Sequence, residues 1–250
     1  MKILHVIFIF VFLSCCLLGK DAIQIKVKSE QNPTIYINGF FYDKNVLKSK
    51  SFCKEYLVDG KNSIVIEPAL KTKIDLTIEK KGDDNDELIF SFNKEISEKT
   101  VVEFDLKLPS IRWAWQDGEE IKSISGDEEA TVKEAANKII RGYEHGEFKD
   151  LIDSTMKPYI ENYAKANNIS NDASKEAFLS AYSEFLSKEK RTSFEIGNSD
   201  LSVESSRYNN KIARVFRKNG EYLCKMGTKL GALCIYQFYF IKKDNKWLLQ

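Results

Sequence analysis

The feature that most constrains this chain is a change of period. From residue 22 to residue 108 no segment repeats its apolar positions at helical spacing, whereas from Asp127 the repeat is helical. In the first stretch apolar residues fall in short alternating or unbroken runs, at 22–28, 34–37, 63–67, 73–79, 87–92 and 100–107, which predict strands. Between them lie Asn38-Gly39, Asp59-Gly60 and the polar run 81–86, which tolerate positive φ or solvate a loop. Strands at this spacing, with no helix among them, predict an all-β sandwich of two sheets over 20–109.

In the second stretch Val132, Ala135, Ala136, Ile139, Ile140 and Tyr143 share one stripe of a helix, with Lys133, Glu134, Asn137, Lys138 and Arg141 turned away. Asp127, Glu128 and Glu129 meet the positive end of its dipole, and Gly146 supplies a left-handed stop. Residues 148–166 read as one or two short helices broken near Pro158, and 173–188 as a third helix with Phe178, Tyr182 and Phe185 on its apolar side. Strands follow at 191–196, 201–205 and 211–217, then Asn219-Gly220, the strongest hairpin signal in the chain. Further strands read at 221–226, 232–242 and, after Asp244-Asn245, 246–249. Tyr236, Phe238 and Phe240 share one face of the longest strand and Ile235, Gln237, Tyr239 and Ile241 the other, so this sheet needs cover on both sides. The chain therefore reads as two domains, a β-sandwich and an α+β domain over 127–250, joined by a linker over 110–126.

Charge narrows the function classes. Lys and Arg number 38 against 37 Asp and Glu, a balance that offers no field for a polyanion and excludes nucleic acid as the expected partner. The first 19 residues read as an export leader: basic Lys2, an apolar run from Ile3 to Leu13, then Ser14, Cys15 and Cys16. The run is shorter than the roughly 20 residues a membrane span needs. The end of the leader, FLSCC, resembles the bacterial lipobox, in which a small residue precedes a lipid-bearing Cys. Cys15 has Ser14 before it and Phe12 three back; Cys16 has Leu13 three back and Cys15 before it, so either register serves. A soluble secreted protein is the alternative. The resemblance implies a lipoprotein anchored at a membrane of the bacterial cell envelope, on its periplasmic or surface face, by chains that contribute about 0.8 kcal/mol per buried methylene.

Exported thiols oxidise readily. If strands 221–226 and 232–240 form a hairpin with Met226 facing Ala232, Cys224 faces Cys234, and the pair forms either a disulfide or two buried thiols. Cys53 has no evident mate. Asp83, Asp84, Asn85, Asp86 and Glu87 carry calcium-type oxygens, but Leu88 stands where a calcium loop requires Gly, so a solvated hairpin tip accounts for them and no metal site is expected. Trp113 and Trp115, if extended, project to one side, with Arg112 in reach; they stack on a sugar or a partner, or pack between domains. No phosphate-binding glycine loop, GxSxG, HExxH or CxxC occurs, so no cofactor is expected. Asn168-Ile169-Ser170 is a sequon that matters only in a eukaryotic secretory host.

HGEFKDLIDSTMKPY after the first helix, SKEAFLSAYSEF on the third and the terminal KKDNKWLLQ resemble the nuclear transport factor 2-like superfamily, in particular bacterial envelope lipoproteins of that fold. TIYINGFFYD and LVDGKNSIVIEP in the first half resemble small immunoglobulin-like or jelly-roll modules. The first resemblance implies three helices packed on the concave side of a curved antiparallel sheet, with a pocket at the open end of the cone. Tyr143, Tyr163, Tyr182 and Tyr236 would line it, as ligand-binding residues or as core. No catalytic motif of the fold's enzymes maps onto the chain; the available groups are Asp153 as a lone base, with Tyr143 and His145, the only histidine outside the leader. The expectation is a non-catalytic binding protein for a protein partner or a small apolar ligand, with an isomerase, dehydratase or hydrolase using a carboxylate and a tyrosine as the alternative. An open pocket holding a desolvated carboxylate beside a tyrosine hydroxyl would favour the enzyme; a closed aromatic interior would favour the binding protein.

Overall fold

The computed structural model describes residues 22–43, 48–82, 85–108, 111–186, 191–228 and 231–250. The leader with Cys15 and Cys16, and Asp83 and Asp84 of the acidic run, lie outside these residues. The described residues form two units, one running to Trp113 and completed by Ser206–Asn209, the other made of Ala114–Ser205 and Asn210–Gln250.

In the first unit the strands are β1 (Ile23–Ser29), β2 (Thr34–Ile37), β3 (Phe40–Asp43), β4 (Lys48–Phe52), β5 (Gly60–Glu67), β6 (Thr72–Lys80), β7 (Glu87–Ile96) and β8 (Thr100–Leu106). They make two antiparallel sheets, β4-β1-β6-β7 and β3-β2-β5-β8. Alternation turns Ile23, Ile25, Val27, Ile74, Leu76 and Ile78 of the first sheet and Ile35, Ile37, Ile64 and Ile66 of the second into one core. Each of these side chains contributes about 1.5 to 3 kcal/mol by leaving water. The sheets thus face each other as a sandwich. Strands β3 and β4 carry no alternating apolar signal in the sequence, FFYD being aromatic throughout and KSKSF polar, and they pair on the outer edges of β2 and β1. Asn38 (φ 48) and Gly39 (φ 86) make the tight β2–β3 turn.

Asn62 is the polar anchor of this unit. Its Oδ1 accepts from Asn38 Nδ2 and the Val58 amide, both at 2.8 Å, and its Nδ2 donates to the Val58 and Gly60 carbonyls at 2.9 Å, so a side chain 1% exposed has its four bonds made. Residues 206–209 complete the unit: Tyr208 donates to Glu67, meets Tyr36 edge-on at 4.9 Å and lies under Lys99.

The second unit has α1 (Asp127–His145), α2 (Lys149–Ile152), α3 (Lys157–Asn167) and α4 (Asn171–Leu186). Gly146 (φ 79) ends α1, its amide donating to the Gly142 carbonyl at 2.8 Å. Pro158 opens α3 rather than breaking it, because the first turn of a helix needs no amide there. Helices are followed by β9 (Arg191–Ile196), β10 (Leu201–Ser206), β11 (Asn209–Arg217), β12 (Cys224–Thr228), β13 (Gly231–Ile235), β14 (Gln237–Lys243) and β15 (Lys246–Leu249). The orders are β10-β11-β14-β15 and β13-β12-β9. Since β9 leads into β10, β11 into β12 and β13 into β14, the two sheets are halves of one antiparallel meander that bends at residues 197–200, 218–223 and 236.

The bend has identifiable causes. Arg217 is buried and donates from Nε to the Tyr222 carbonyl at 3.2 Å, so the chain folds back on it before β12. Gly197 fits against this loop, since a Cβ there would stand 2.1 Å from the Tyr222 oxygen. Glu221 accepts the Ser199 amide at 3.0 Å and also the Asn198 amide, which lower its pKa to about 2. Asn219-Gly220 therefore does not form the expected hairpin: Gly220 has φ 77 but Asn219 is not among the residues with positive φ, and β11 and β12 do not pair with each other. The β14–β15 turn is made instead by Asp244 (φ 51) and Asn245 (φ 58).

Helices α1 to α4 and both halves of the sheet share one core, in which Ile139, Ile140, Phe148, Ile160 and Phe178 meet Val215, Met226, Ile235, Phe238 and Phe240. On the other face of the β11–β14 half, Ile212, Tyr239 and Ile241 are also buried. From Ala114 on, the segment expected as a linker packs there as part of this unit: Ala114–Asp117 form a 3-10 turn, Lys211 Nζ donates to the Gln116 carbonyl, and the Glu119 and Ile121 amides donate to the Lys242 and Asn210 carbonyls at 2.8 and 2.6 Å.

Candidate functional site

The interior between helices and sheet is filled by rings. Phe148, fully buried, has ring neighbours Tyr182 at 4.4 Å, Tyr143 at 5.1 Å and Phe178 at 5.2 Å, all edge-on. Tyr159 joins through Phe178 at 6.1 Å. The Tyr182 hydroxyl is spent inside the nest, donating to the Tyr143 carbonyl and lying 3.6 Å from Met226 Sδ. Desolvation of the Tyr143 hydroxyl, then repulsion from Tyr159 and Tyr182, holds it well above the ordinary phenol range. Gly142 makes room for the nest: a Cβ at this helical position would stand 2.8 Å from Phe148 Cε1.

The candidate catalytic groups are not gathered. Asp153 caps the end of α2 with its side chain 66% exposed and paired to half-buried Lys175, so its partner is a lysine rather than a tyrosine. His145 is exposed at the end of α1, 3.3 Å from Glu144. Of the four tyrosines expected around a pocket, Tyr182 is buried in the packed nest and Tyr143, half-buried, packs against it. Tyr163 is half-buried on α3, its carbonyl accepting from Asn167 Nδ2 at 2.9 Å, and does not join that core. Tyr236 stands at the break between β13 and β14 and hydrogen-bonds Cys234. The break shifts the alternation, so Tyr236 leaves the face that Phe238 and Phe240 share.

Both tryptophans are buried rather than displayed. Trp113 is 0% exposed and donates from Nε1 to the Leu57 carbonyl at 2.6 Å, in the first unit. Trp115 is 8% exposed, in the 3-10 turn of the second. They present no stacking face for a sugar.

The expected cysteine register is also corrected. Cys224 pairs with Ile235 and Lys225 with Cys234, one residue off the register that would set the thiols face to face, so they lie on opposite faces of the sheet and both are free. Burial, then the neighbouring Cys234, pushes the Cys224 thiol up to about 12, and burial raises Cys234.

The second unit carries a groove of about 620 Å³ between α1, the α2–α3 corner and the β14–β15 turn. Ala135, Pro158 and Trp247 supply its apolar surface. Its helix walls are self-neutralised: Lys138 pairs with Glu134 at 2.8 Å, Lys157 with Glu161 at 3.8 Å, and Asp153 with Lys175. On the turn side Lys243 and Lys246 have no carboxylate within ion-pair distance among the described residues. Asp153 is the one sequence-predicted site residue that lines the groove. The remainder was not foreseen, because strand ends and helix corners distant in sequence meet there; the only hint was the Lys-rich turn KKDNK before Trp247. Among the described residues no cluster of three metal-ligating groups occurs, and no helix is long and apolar enough to cross a membrane. No protein-family model matches the chain, no curated protein matches it, and no solved structure matches its fold.

Proposed function

We propose that this protein is an exported, lipid-anchored and non-catalytic binding protein of a bacterial cell envelope, with a nuclear transport factor 2-like second unit and an immunoglobulin-like or jelly-roll first unit, and that it engages a protein partner through the groove beside the β14–β15 turn. The layout rests on the bent meander with helices in its core, and the anchor on Cys15 or Cys16 within FLSCC. The single observation that carries the non-catalytic reading is the closed aromatic nest: Tyr182 and Tyr143 are committed to each other and to Phe148, while Asp153 is solvated and bonded to Lys175. A small apolar ligand would need that nest to be open. A partner with acidic groups at its surface needs only Lys243 and Lys246, which have no ion-pair partner among the described residues and flank the apolar strip.

The test is cross-linking in the native envelope followed by mass spectrometry, comparing the wild type with Lys243→Glu/Lys246→Glu. A partner that cross-links to the wild type and is lost from the variant is the expected result, and identical captures would overturn the groove assignment. Labelling with a palmitate analogue, alone and after Cys15→Ser or Cys16→Ser, tests the anchor; an unlabelled wild type would remove it.

A further inference from the structure

Asn-Gly occurs at two turns of this chain, Asn38-Gly39 and Asn219-Gly220, in opposite surroundings. Asparagine before glycine is open to an internal reaction, because no Cβ shields the glycine nitrogen. The nitrogen lone pair forms a bond to the asparagine Cγ, the amide proton passes to water, and the Cγ–Nδ2 bond breaks as Nδ2 takes a proton from water and leaves as ammonia. Water then opens the resulting succinimide at either carbonyl, giving aspartate or isoaspartate.

We propose that Asn219 is a site of spontaneous deamidation in the folded protein and that Asn38 is protected from it. Asn219 Oδ1 accepts two hydrogen bonds, from the Glu221 amide and from Ser199 Oγ, both at 3.0 Å. Negative charge grows on this oxygen when Cγ becomes tetrahedral, so the two donors act there as oxyanion donors do. Nδ2, the departing nitrogen, points to Glu221 Oε2 at 3.3 Å. Residues 218–220 are exposed and nothing lies within 4 Å of where a Gly220 Cβ would stand, so water reaches the site and the backbone has room to turn. One exposed hydrogen bond, from the Gly220 amide to the Arg217 carbonyl at 3.0 Å, has to open first.

Asn38 has neither freedom. Its Nδ2 donates to the Tyr56 carbonyl at 2.7 Å and to Asn62 Oδ1 at 2.8 Å, and its Oδ1 accepts the Ser63 amide at 2.9 Å. Gly39 is enclosed, with Asn209 Cβ 2.3 Å from the place its own Cβ would take. The side chain cannot swing onto the Gly39 nitrogen without breaking this network.

Conversion at residue 219 replaces the donor that faces Glu221 with a carboxylate oxygen. Two anions then share the loop that holds the bend, which loosens it.

The experiment incubates the full chain at neutral pH and physiological temperature and follows both sites by peptide mapping and mass spectrometry. The expected result is a gain of one mass unit, split between aspartate and isoaspartate, in the peptide bearing residue 219, with the peptide bearing residue 38 unchanged; in denaturant both convert. Ser199→Ala slows conversion at residue 219 by up to about tenfold through loss of one donor on Oδ1, and Ser199→Thr restores it. A folded chain that keeps Asn219 as long as Asn38, or a Ser199→Ala variant that converts at the wild-type rate, overturns the assignment.

Discussion

Phe148→Ala tests the claim on which the functional reading stands, that the interior of the second unit is packed rather than open. The ring is 0% exposed and its three ring neighbours stand edge-on at 4.4 to 5.2 Å. Truncating a buried phenylalanine costs about 3 to 5 kcal/mol, combining lost transfer energy with the cavity left behind. The upper half of that range applies, because each edge-on pair adds about 0.5 to 1.5 kcal/mol beyond area and because the nest collapses poorly. Tyr182 is held by its bonds to the Tyr143 carbonyl and Met226, and Gly142 has no side chain to fill the gap. A loss of about 4 kcal/mol corresponds to roughly a thousandfold in the folding equilibrium. Amide hydrogen exchange at Ile139, Ile140 and Val215 reads this loss in the unit concerned, with Ile25 and Ile64 of the other core as internal controls. The cavity is apolar, so the variant is expected to bind benzene while the wild type does not. A loss below about 1.5 kcal/mol, or benzene binding by the wild type, would mean that the tyrosines surround a real pocket, and the enzyme or small-ligand reading would return.

Asn62→Ala removes the partner of the Val58 amide and carbonyl, the Gly60 carbonyl and one Asn38 amide hydrogen, all on half-buried residues, and is expected to cost about 2 to 6 kcal/mol by urea unfolding of the first unit, at about 0.5 to 1.5 kcal/mol for each of these bonds; a loss below about 1 kcal/mol would show that the network is solvated. Enclosure of its carboxyl raises Glu55 from 4.5 to about 7, so its contribution favours the folded state when protonated and is lost as pH rises through that window, by at most roughly 3 kcal/mol. Glu55→Gln should flatten Tm against pH between 4.5 and 7 and raise it at neutral pH, and an unchanged profile would place the carboxyl in water. Glu221 carries the opposite sign: the Asn198 and Ser199 amides lower it from 4.5 to about 2, so its stabilisation is present above 4.5 and lost as pH falls toward 2. Glu221→Gln should remove that acid-side loss and increase exchange of the Ser199 amide; protection equal to the wild type would show that the bend does not depend on the carboxylate.

The local pattern of residues determined much of this protein. Alternation of apolar residues, Ile and Val in β1, β2, β5 and β6 and chiefly Phe and Leu in β7 and β8, placed these strands, because a half-buried strand writes its burial into every second residue. The apolar stripe and Gly146 marked α1 with its stop, because both are set within one helix. Tertiary structure decided the rest. Strands β3 and β4 exist because β2 and β1 offer them edges, which no residue inside FFYD or KSKSF announces. Asn219-Gly220 has the chemistry of a hairpin, yet the chain wraps buried Arg217 and lays Glu221 on amides some twenty residues earlier, so a distant contact outweighed the local preference. The long strand breaks at Tyr236, and the β12–β13 pairing, which runs from Thr228 opposite Gly231 to Cys224 opposite Ile235, sets Cys224 and Cys234 one register step apart; a single step in a sheet exchanges its two faces. The groove follows the same logic: Asp153, Lys157, Lys243 and Lys246 are ordinary surface residues until the helix corner and the strand turn are brought together.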